Sequence, residues 1–443
     1  MSESPQRAST RWWYRRVWAI AWPIILSNAT VPLVGIVDTA VVGHLPDPAY
    51  IGAVAIGAII FSFLYWGFNF LRMGTTGLVA QDLGGGDSDE LRATMVRALV
   101  LALVLGLLIV LARAPIGDLA FLVLEGGEQV EHHARAYYDI RVLSAPAALA
   151  NFALLGYFIG VQRTRIALAL QLTLNGVNLV LDVLFVVVLG LGVEGVAGAS
   201  LVGEYTAALL GLAMMRRSLA HAGGSWQLQR VLQASRLRAL ARINLDIFLR
   251  TLAAVFAFFY FTATGARLGE VPLAANAVLM HFLMFTSYSL DGFAHAAEAL
   301  AGNAFGARDA RAFRAAVRAC TLLAIGVACG YALAFALLGN TVVALITGIA
   351  AVRETAAVYL PWVVALPLVA VWSFQLDGIF VGTTRSREMR NGMAIALAAY
   401  LAAVWLLVPI WGNHGLWAAM TLFMAARGLV MGMWYPRILR ALE

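Results

Sequence analysis

The segment Gly156-Tyr-Phe-Ile-Gly-Val-Gln-Arg-Thr-Arg165 returns 222 residues later as Gly378-Ile-Phe-Val-Gly-Thr-Thr-Arg-Ser-Arg387. Three shorter matches occur at offsets of 220 or 221 residues: Val96-Arg97-Ala98 with Val317-Arg318-Ala319, Pro146 with Pro367, and Gly192-x-x-Gly195 with Gly412-x-x-Gly415. Four matches in the same order at nearly one offset indicate an internal repeat. The chain is therefore predicted to consist of two similar halves.

Composition places both halves in a membrane. The 443 residues are 62% hydrophobic and only 12% charged, with a mean hydropathy of +0.82, whereas soluble domains carry roughly 25% charged residues. Apolar runs of the length that crosses a bilayer recur along the chain, as in Ile166–Leu191 and Met393–Ile410. We therefore predict an all-α integral membrane protein.

Twelve transmembrane helices, six in each half, account for these runs. Because six is even, both halves cross the membrane in the same orientation as two pseudo-symmetric lobes. The predicted organisation is a tail over 1–16, a first lobe over 17–217, an Arg-rich linker over 218–242 and a second lobe over 243–437. The helices are expected near 17–44, 49–80, 95–114, 135–161, 166–189, 195–215, 244–266, 272–302, 316–338, 356–382, 391–410 and 415–435.

The distribution of the basic residues indicates a membrane topology rather than a nucleic-acid-binding surface. All of them are arginines, and most fall in the termini and the even-numbered loops. This asymmetry predicts a bacterial inner-membrane protein with both termini cytoplasmic, whose partners are the lipid bilayer and small molecules. The arginines assigned to the opposite side are Arg113, Arg135, Arg141, Arg267 and Arg353.

Embedded acids are the candidate functional residues. A charged side chain at mid-bilayer costs roughly 2.5–3.5 kcal/mol, so an acid there needs a partner, a proton or a function. The predicted helices contain six such acids: Asp38, Asp182, Glu204, Asp291, Glu298 and Asp377.

In the first lobe, Asn178 and Asp182 lie on one stripe of the fifth helix, together with Asn175. Asp38 lies in the first helix, fifteen residues after Pro23, where the missing backbone N–H marks a bend point. Carboxylate and carboxamide oxygens here can form a cage for Na⁺, or the two carboxyls can share protons. A purely structural hydrogen-bonding role is the other interpretation.

In the second lobe, Asp291, His295 and Glu298 share one face of the eighth helix, and Arg250 is the nearest counter-charge. A proton relay and a structural ion-pair network both fit this pattern.

Glu204 and Asp377 complete the embedded polar set, and Arg427 is a candidate partner for one of them. No phosphate-binding loop, zinc spacing or nucleophile motif occurs in the sequence, so we predict a protein that is not an enzyme and uses no cofactor besides a coupling ion.

Several motifs resemble those of one transporter family. They are Val37-Asp38-Thr-Ala-Val-Val-Gly43-His44, Asn178-x3-Asp182, Ile243-Asn-Leu-Asp-Ile-Phe-Leu-Arg250, Leu290-Asp291-Gly292-Phe and Leu376-Asp377-Gly378-x-Phe-x-Gly382. The chain resembles the multidrug and toxic compound extrusion (MATE) family, and within it the branch of DNA-damage-inducible protein F. The resemblance extends from about residue 18 to residue 435.

The resemblance implies export of amphipathic, often cationic, organic compounds driven by inward H⁺ or Na⁺. It places the cation site on Asp38, Asn178 and Asp182, with Tyr137 and Ser200 added by spacing alone. Taking up the ion would let the first helix bend near Pro23 and displace bound substrate. We expect a monomer.

Two other functions compete with antiport. A flippase for lipid-linked precursors would share the two-lobe architecture but should line its cavity with cationic residues. A membrane-embedded enzyme should cluster His, Asp or Cys near one membrane face, a pattern that the sequence does not show.

Overall fold

The structure, a computed structural model, describes residues 9–43, 47–124 and 126–443, without the side chains of residues 31–34, 36 and 39. His44 of the first motif and residues 1–8 of the predicted tail lie outside this description. The described residues form helices and connecting turns, with no strand among them. The α-helices are α1 (Thr10–Val42), α2 (Ala49–Gly67), α3 (Phe70–Gly84), α4 (Ser88–Leu111), α5 (Arg113–Val123), α6 (Glu128–Arg141), α7 (Ala145–Gly160), α8 (Thr164–Asp182), α9 (Gly192–Ala222), α10 (Leu228–Val231), α11 (Ala234–Arg267), α12 (Glu270–Gly306), α13 (Ala310–Ile346), α14 (Ala350–Gly382), α15 (Ser386–Trp411) and α16 (Asn413–Arg440).

Eleven helical runs in the described part of the chain are long and apolar enough to cross a membrane. α2 and α3 form one run, Ala49–Gly84, and α6 continues through a 3-10 turn into α7 as the run Glu128–Gly160. A π-helical turn extends α8 to Val188. With α1, these runs occupy the twelve predicted helix positions. The prediction of an all-α membrane protein is confirmed.

The repeated glycine motif marks a close helix crossing in each half. A Cβ at Gly156 of α7 would lie 2.5 Å from the carbonyl oxygen of Arg72 in α3. A Cβ at Gly378 of α14 would overlap the carbonyl of Ala294 in α12, and the second glycine of each motif is equally crowded. Small residues at such crossings let helix backbones pack directly against each other. The repeated glycines therefore serve helix packing rather than ligand binding.

The described contacts divide the chain into two units, and the boundary falls within α1. The amino-terminal unit comprises Leu26–Arg238. The carboxy-terminal unit comprises Ala239–Glu443 together with α1 through Ile25. Within the latter, a Cβ at Gly292 of α12 would overlap the Ile25 side chain. The first part of α1 thus packs tightly on α12.

The linker is bound to the amino-terminal unit through α4. The carboxylate of Asp87, at the start of α4, accepts hydrogen bonds of 2.7 and 2.8 Å from Arg230. The amide of Glu90 and the Arg230 guanidinium hold the pKa of Asp87 below its usual range. The Arg92 guanidinium donates to the Gly223 carbonyl at 2.7 and 2.9 Å. The linker through Arg238 therefore belongs to this unit and is hydrogen-bonded to it.

Candidate functional site

Two aspartates meet in the interior of the amino-terminal unit. Asp38 of α1 is 8% exposed, and Asp182, the last residue of α8, is fully buried. Their carboxyl groups lie within hydrogen-bonding reach of each other. Neither carboxylate oxygen of Asp182 accepts a hydrogen bond from an N–H or O–H donor among the described residues. A hydrogen bond between the two carboxyls therefore requires a proton on one of them.

Amide and hydroxyl side chains join α8 to its neighbours around this pair. Asn178, one turn before Asp182, donates to the Ser200 hydroxyl of α9 at 3.2 Å, and both residues are buried. Asn175 donates to the Thr30 hydroxyl of α1 at 3.0 Å. The helix that carries Asp182 is thus hydrogen-bonded to the helix that carries Asp38.

Tyr137 of α6 forms another wall of the site. Its ring is buried, and its hydroxyl is close enough to Asp38 and Asp182 for their charges to act on it. Gly57 of α2 makes room for the ring, because a Cβ at this position would overlap it. The residues placed here by resemblance and spacing, Asp38, Asn178, Asp182, Tyr137 and Ser200, therefore come together; their role in ion coupling stays a prediction.

We expect Gly57→Ala to lower transport by about tenfold or more, since a displacement near 1 Å at a positioned group can cost a hundredfold. The added methyl group would overlap the buried Tyr137 ring, which must therefore move from its place in the site. Gly176→Ala is the matched control, because nothing lies within 4 Å of a Cβ there. Efflux of a fluorescent dye at equal protein levels measures both variants, and equal rates would contradict the positioning of Tyr137 by Gly57.

Arg141 is the site residue that sequence analysis missed. It ends α6, inside the helical run Glu128–Gly160, and therefore lies on a helix that packs within the unit rather than in a connecting loop. Its guanidinium carbon lies 5.3 Å from the Phe61 ring centroid and 5.8 Å from that of Tyr137. Its charge acts on Asp38 and Asp182. The site therefore contains a resident cation.

The charge of the same guanidinium also reaches a third acid. Glu204 of α9 accepts a hydrogen bond of 2.7 Å from the Asn151 amide, which also donates to the Glu204 carbonyl at 3.0 Å. The charge of Arg141 acts on the Glu204 carboxyl as well. Glu204, which the sequence left without a role, thus belongs to the same cluster as the aspartate pair.

A 3-10 turn follows Arg141, and Pro146 in the sequence is the signal that could have predicted it. Pro146 has no backbone N–H with which to continue the α-helical pattern, and the preceding residues Val142–Ser144 form a 3-10 turn. The Ser144 hydroxyl donates to the Arg141 carbonyl at 2.7 Å and lies 3.0 Å from the Tyr65 hydroxyl. These contacts fix the backbone that carries Arg141.

The carboxy-terminal unit holds a different arrangement around Asp377 of α14. One oxygen, Oδ2, accepts hydrogen bonds from Arg250 of α11 and, at 2.6 Å, from Arg427 of α16. All three side chains are at most 13% exposed. Arg427 is thus a partner of Asp377. Arg250, expected beside Asp291, also binds this carboxylate.

The stripe on α12 is present in the structure. His295 and Glu298 are buried, and the His295 ring nitrogen Nδ1 contacts the Asp291 carbonyl one turn earlier. The Asp291 charge acts on Arg427, which links the stripe to the ion-pair cluster. Pro23 lies inside α1, in the part that packs within this unit.

No group of three or more His, Cys, Asp or Glu side chains suited to holding a metal occurs in the ranges that the structure describes. A coupling Na⁺ would therefore depend on Asp38 and Asp182 with neighbouring amide and hydroxyl oxygens.

Comparisons with known proteins agree with the fold and the motifs. The family model described as MatE matches residues 23–184 and 247–409, one match in each half. DNA damage-inducible protein F of Escherichia coli (strain K12) is 46% identical over 419 residues, which cover 94% of this chain and 90% of that protein. Protein DETOXIFICATION 44, chloroplastic, of Arabidopsis thaliana is 26% identical over 94% of this chain and 81% of its own.

Among solved structures, the chain is similar to one described as the outward-facing conformation of a multidrug resistance MATE family transporter of the MOP superfamily. The TM-score is 0.86 at 19% identity, covering 99% of this chain and 98% of the other. That likeness shows the fold. The family model and the 46% identical relative establish that the chain belongs to the MatE family of membrane transporters.

Proposed function

We propose that the chain is a secondary active antiporter that exports amphipathic, cationic organic compounds in exchange for H⁺ or Na⁺ by alternating access. Family membership supports efflux transport in general. The observation that carries the coupling mechanism is the contact between the Asp38 and Asp182 carboxyls in a buried part of the amino-terminal unit.

Two ionised carboxylates in contact repel each other strongly where the dielectric constant is low. Binding one monovalent cation relieves this repulsion, whether the cation is a proton shared between the carboxyls or a Na⁺ ligated by their oxygens. Asn178 and Ser200 lie beside the pair and offer further oxygens. The pair therefore has the chemistry of an ion-coupling site.

Binding of the ion and binding of the substrate must oppose each other for exchange to occur. In the proposed cycle, cation uptake from outside neutralises the pair and lets α1 bend at Pro23, where a backbone hydrogen bond is missing. The bend displaces the substrate outward. This negative coupling is reciprocal. One charge moving down 100 mV supplies about 2.3 kcal/mol.

The flippase alternative requires arginines that are available to a pyrophosphate. Three arginines within the helical runs lie beside acids instead: Arg250 and Arg427 bind Asp377, and the Arg141 charge acts on Glu204 and the aspartate pair. This arrangement favours cationic or neutral substrates. We further propose that the protein acts as a monomer in the bacterial inner membrane, with both termini in the cytoplasm.

Dye efflux from energised cells tests the proposal and identifies the ion. Cells expressing the chain are loaded with ethidium, and the proton gradient and the sodium gradient are then collapsed in turn. We expect efflux to stop with one of the two treatments and to continue with the other. Cells lacking the chain give the baseline. Efflux that survives the collapse of both gradients would contradict ion-coupled antiport.

A further inference from the structure

The linker of the amino-terminal unit turns polar groups inward and apolar side chains outward. On the α4 side, Arg97 and Glu90 form an ion pair of 2.8 Å, and their side chains are only 4% and 5% exposed. On the outer side, Trp226, Leu228 and Leu232 are 56%, 70% and 62% exposed. A segment surrounded by water has the opposite arrangement, because apolar surface gains free energy by leaving water. Exposed apolar patches rimmed by polar residues mark surfaces that contact a membrane or a partner.

Hydrogen bonds to α4 fix this orientation of the linker. Asp89 accepts bonds of 2.6 Å from the Ser225 amide and 2.8 Å from the Gln227 side chain. Farther along the helix, Nε of Arg97 donates to the Val231 carbonyl at 3.0 Å. These bonds determine which side of the linker lies against α4 and therefore which side faces outward.

The linker is held at the level of the membrane surface. One membrane-spanning run ends at Ala222 and the next begins at Ala234, so only residues 223–233 separate them. The bonds to α4 extend from Asp89 to Arg97, about 12 Å along a helix that rises 1.5 Å per residue. α4 itself forms a membrane-spanning run that begins at Ser88. The outer side of the linker therefore lies at the depth of the lipid headgroups rather than in free solution.

Exposed arginines flank the linker on both sides in the chain. Arg216 and Arg217 lie near the end of α9, and Arg236 and Arg238 lie near the start of α11. All four belong to the amino-terminal unit. Clusters of this size next to a membrane-spanning helix are typical of binding to anionic phospholipids. The guanidinium group also matches the geometry of a phosphate, to which it can donate two parallel hydrogen bonds.

We propose that the linker is a binding surface for anionic phospholipids: Trp226, Leu228 and Leu232 insert among the headgroups, and the flanking arginines bind the phosphates. A tryptophan suits this depth, because its amphipathic ring is favoured where membrane and water meet. The guanidinium carbon of Arg92 lies 4.8 Å from the Trp226 ring centroid and supports the ring from the α4 side. The inference does not depend on the coupling ion or on the substrate. The linker thus anchors the amino-terminal unit to the lipid surface in addition to joining the two lobes.

Quenching of a fluorescent label by brominated phospholipids tests the contact in the full chain. The exposed Cys329 is changed to Ser, whereas the fully buried Cys320 stays. Bimane is attached at Leu232→Cys, and the protein is reconstituted in bilayers whose lipids carry bromine on the acyl chain near the headgroup. Leu107→Cys, exposed in the membrane-spanning run of α4, gives the lipid reference, and the 62% exposed Glu443→Cys gives the water reference. We expect quenching at Leu232 comparable with that at Leu107 and several times that at Glu443.

Gln229→Cys is the matched control within the linker. This polar residue is exposed, but it follows Leu228 in α10 and therefore points about 100° away from it. Quenching at Gln229 should be weaker than at Leu232. Quenching at Leu232 as low as at Glu443 would overturn the inference. A label at Leu232 that is shielded from water but not quenched by the lipid would overturn it as well, because protein would then cover this face.

The charge of the lipid is tested with brominated phosphatidylglycerol and brominated phosphatidylcholine in turn. We expect the anionic lipid to quench bimane at Leu232 more strongly at equal mole fraction. Arg217→Gln and Arg238→Gln should each lower this preference by up to about fivefold, the effect of one arginine near a charged membrane surface. Arg314→Gln, a 55% exposed arginine of the carboxy-terminal unit, is the control for net charge and should leave the preference unchanged. Equal quenching by the two lipids, or an equal loss of preference in Arg314→Gln, would overturn the inference.

Discussion

Asp38→Asn is expected to abolish export while leaving the protein folded. Asparagine preserves the shape of the side chain but cannot release a proton or offer a charged oxygen to Na⁺. With one carboxyl removed, ion binding no longer relieves a repulsion between two carboxylates, so the gradient loses the proposed means of driving substrate outward. A loss of up to about fiftyfold in dye accumulation ratio per 100 mV follows, as 2.3 kcal/mol corresponds to that factor.

Folding should be maintained in this variant, because the substitution removes the repulsion between Asp38 and Asp182. Thermal unfolding of the purified protein is therefore expected at the wild-type temperature or above it. Asp118→Asn provides the control, since this aspartate is 74% exposed and lies outside the cluster. Full dye export by a well-expressed Asp38→Asn protein would contradict the coupling mechanism.

Asp377→Ala is expected to lower the stability of the protein strongly, which is the second large effect. This change leaves the buried guanidinium groups of Arg250 and Arg427 without the carboxylate that both bind. Removing one partner of a buried ion pair typically costs about 3–5 kcal/mol, because an uncompensated charge stays buried. We expect a marked fall in the unfolding temperature of the purified protein.

The matched comparison is the exposed pair of Arg314 and Glu443, whose side chains are 55% and 62% exposed. Glu443→Gln should change the free energy of unfolding by only about 0–1 kcal/mol. The double change Asp377→Ala with Arg427→Met should recover part of the loss, since one buried charge is removed. If Asp377→Ala unfolded at the wild-type temperature, water would have to solvate these arginines, and the prediction would be contradicted.

The helices were predictable because bilayer thickness sets their length and apolar composition, and the sequence repeats its pattern in both halves. The meeting of Asp38 and Asp182 was predictable for a similar reason, since embedded acids are too costly to leave isolated. Arg141 was not predicted, because an arginine near a helix boundary is ordinarily read as a topology signal. The span that contains it begins at Glu128, seven residues before the predicted start.

The partners of Asp377 could be identified only from the structure. Sequence spacing relates residues on one helix face, such as Asp291 and His295. Which arginine reaches which acid on another helix depends on helix rotation and crossing distance. Here the crossing is set by Gly378, where the backbones of α14 and α12 touch. A glycine motif predicts that two helices approach closely, but it does not specify which side chains surround the adjacent Asp377.

Because α1 is divided between the two units, a cut in the linker does not separate the two halves of the chain cleanly. Residues through Ile25 fill the space left by Gly292 on α12, while the same helix continues to Asp38 in the other contact unit. A polypeptide cut within the linker would leave the carboxy-terminal fragment with an uncovered helix face, and the missing piece would sit on the amino-terminal fragment. The carboxy-terminal unit therefore depends on the first residues of the same chain, and the two halves are not self-sufficient proteins joined end to end.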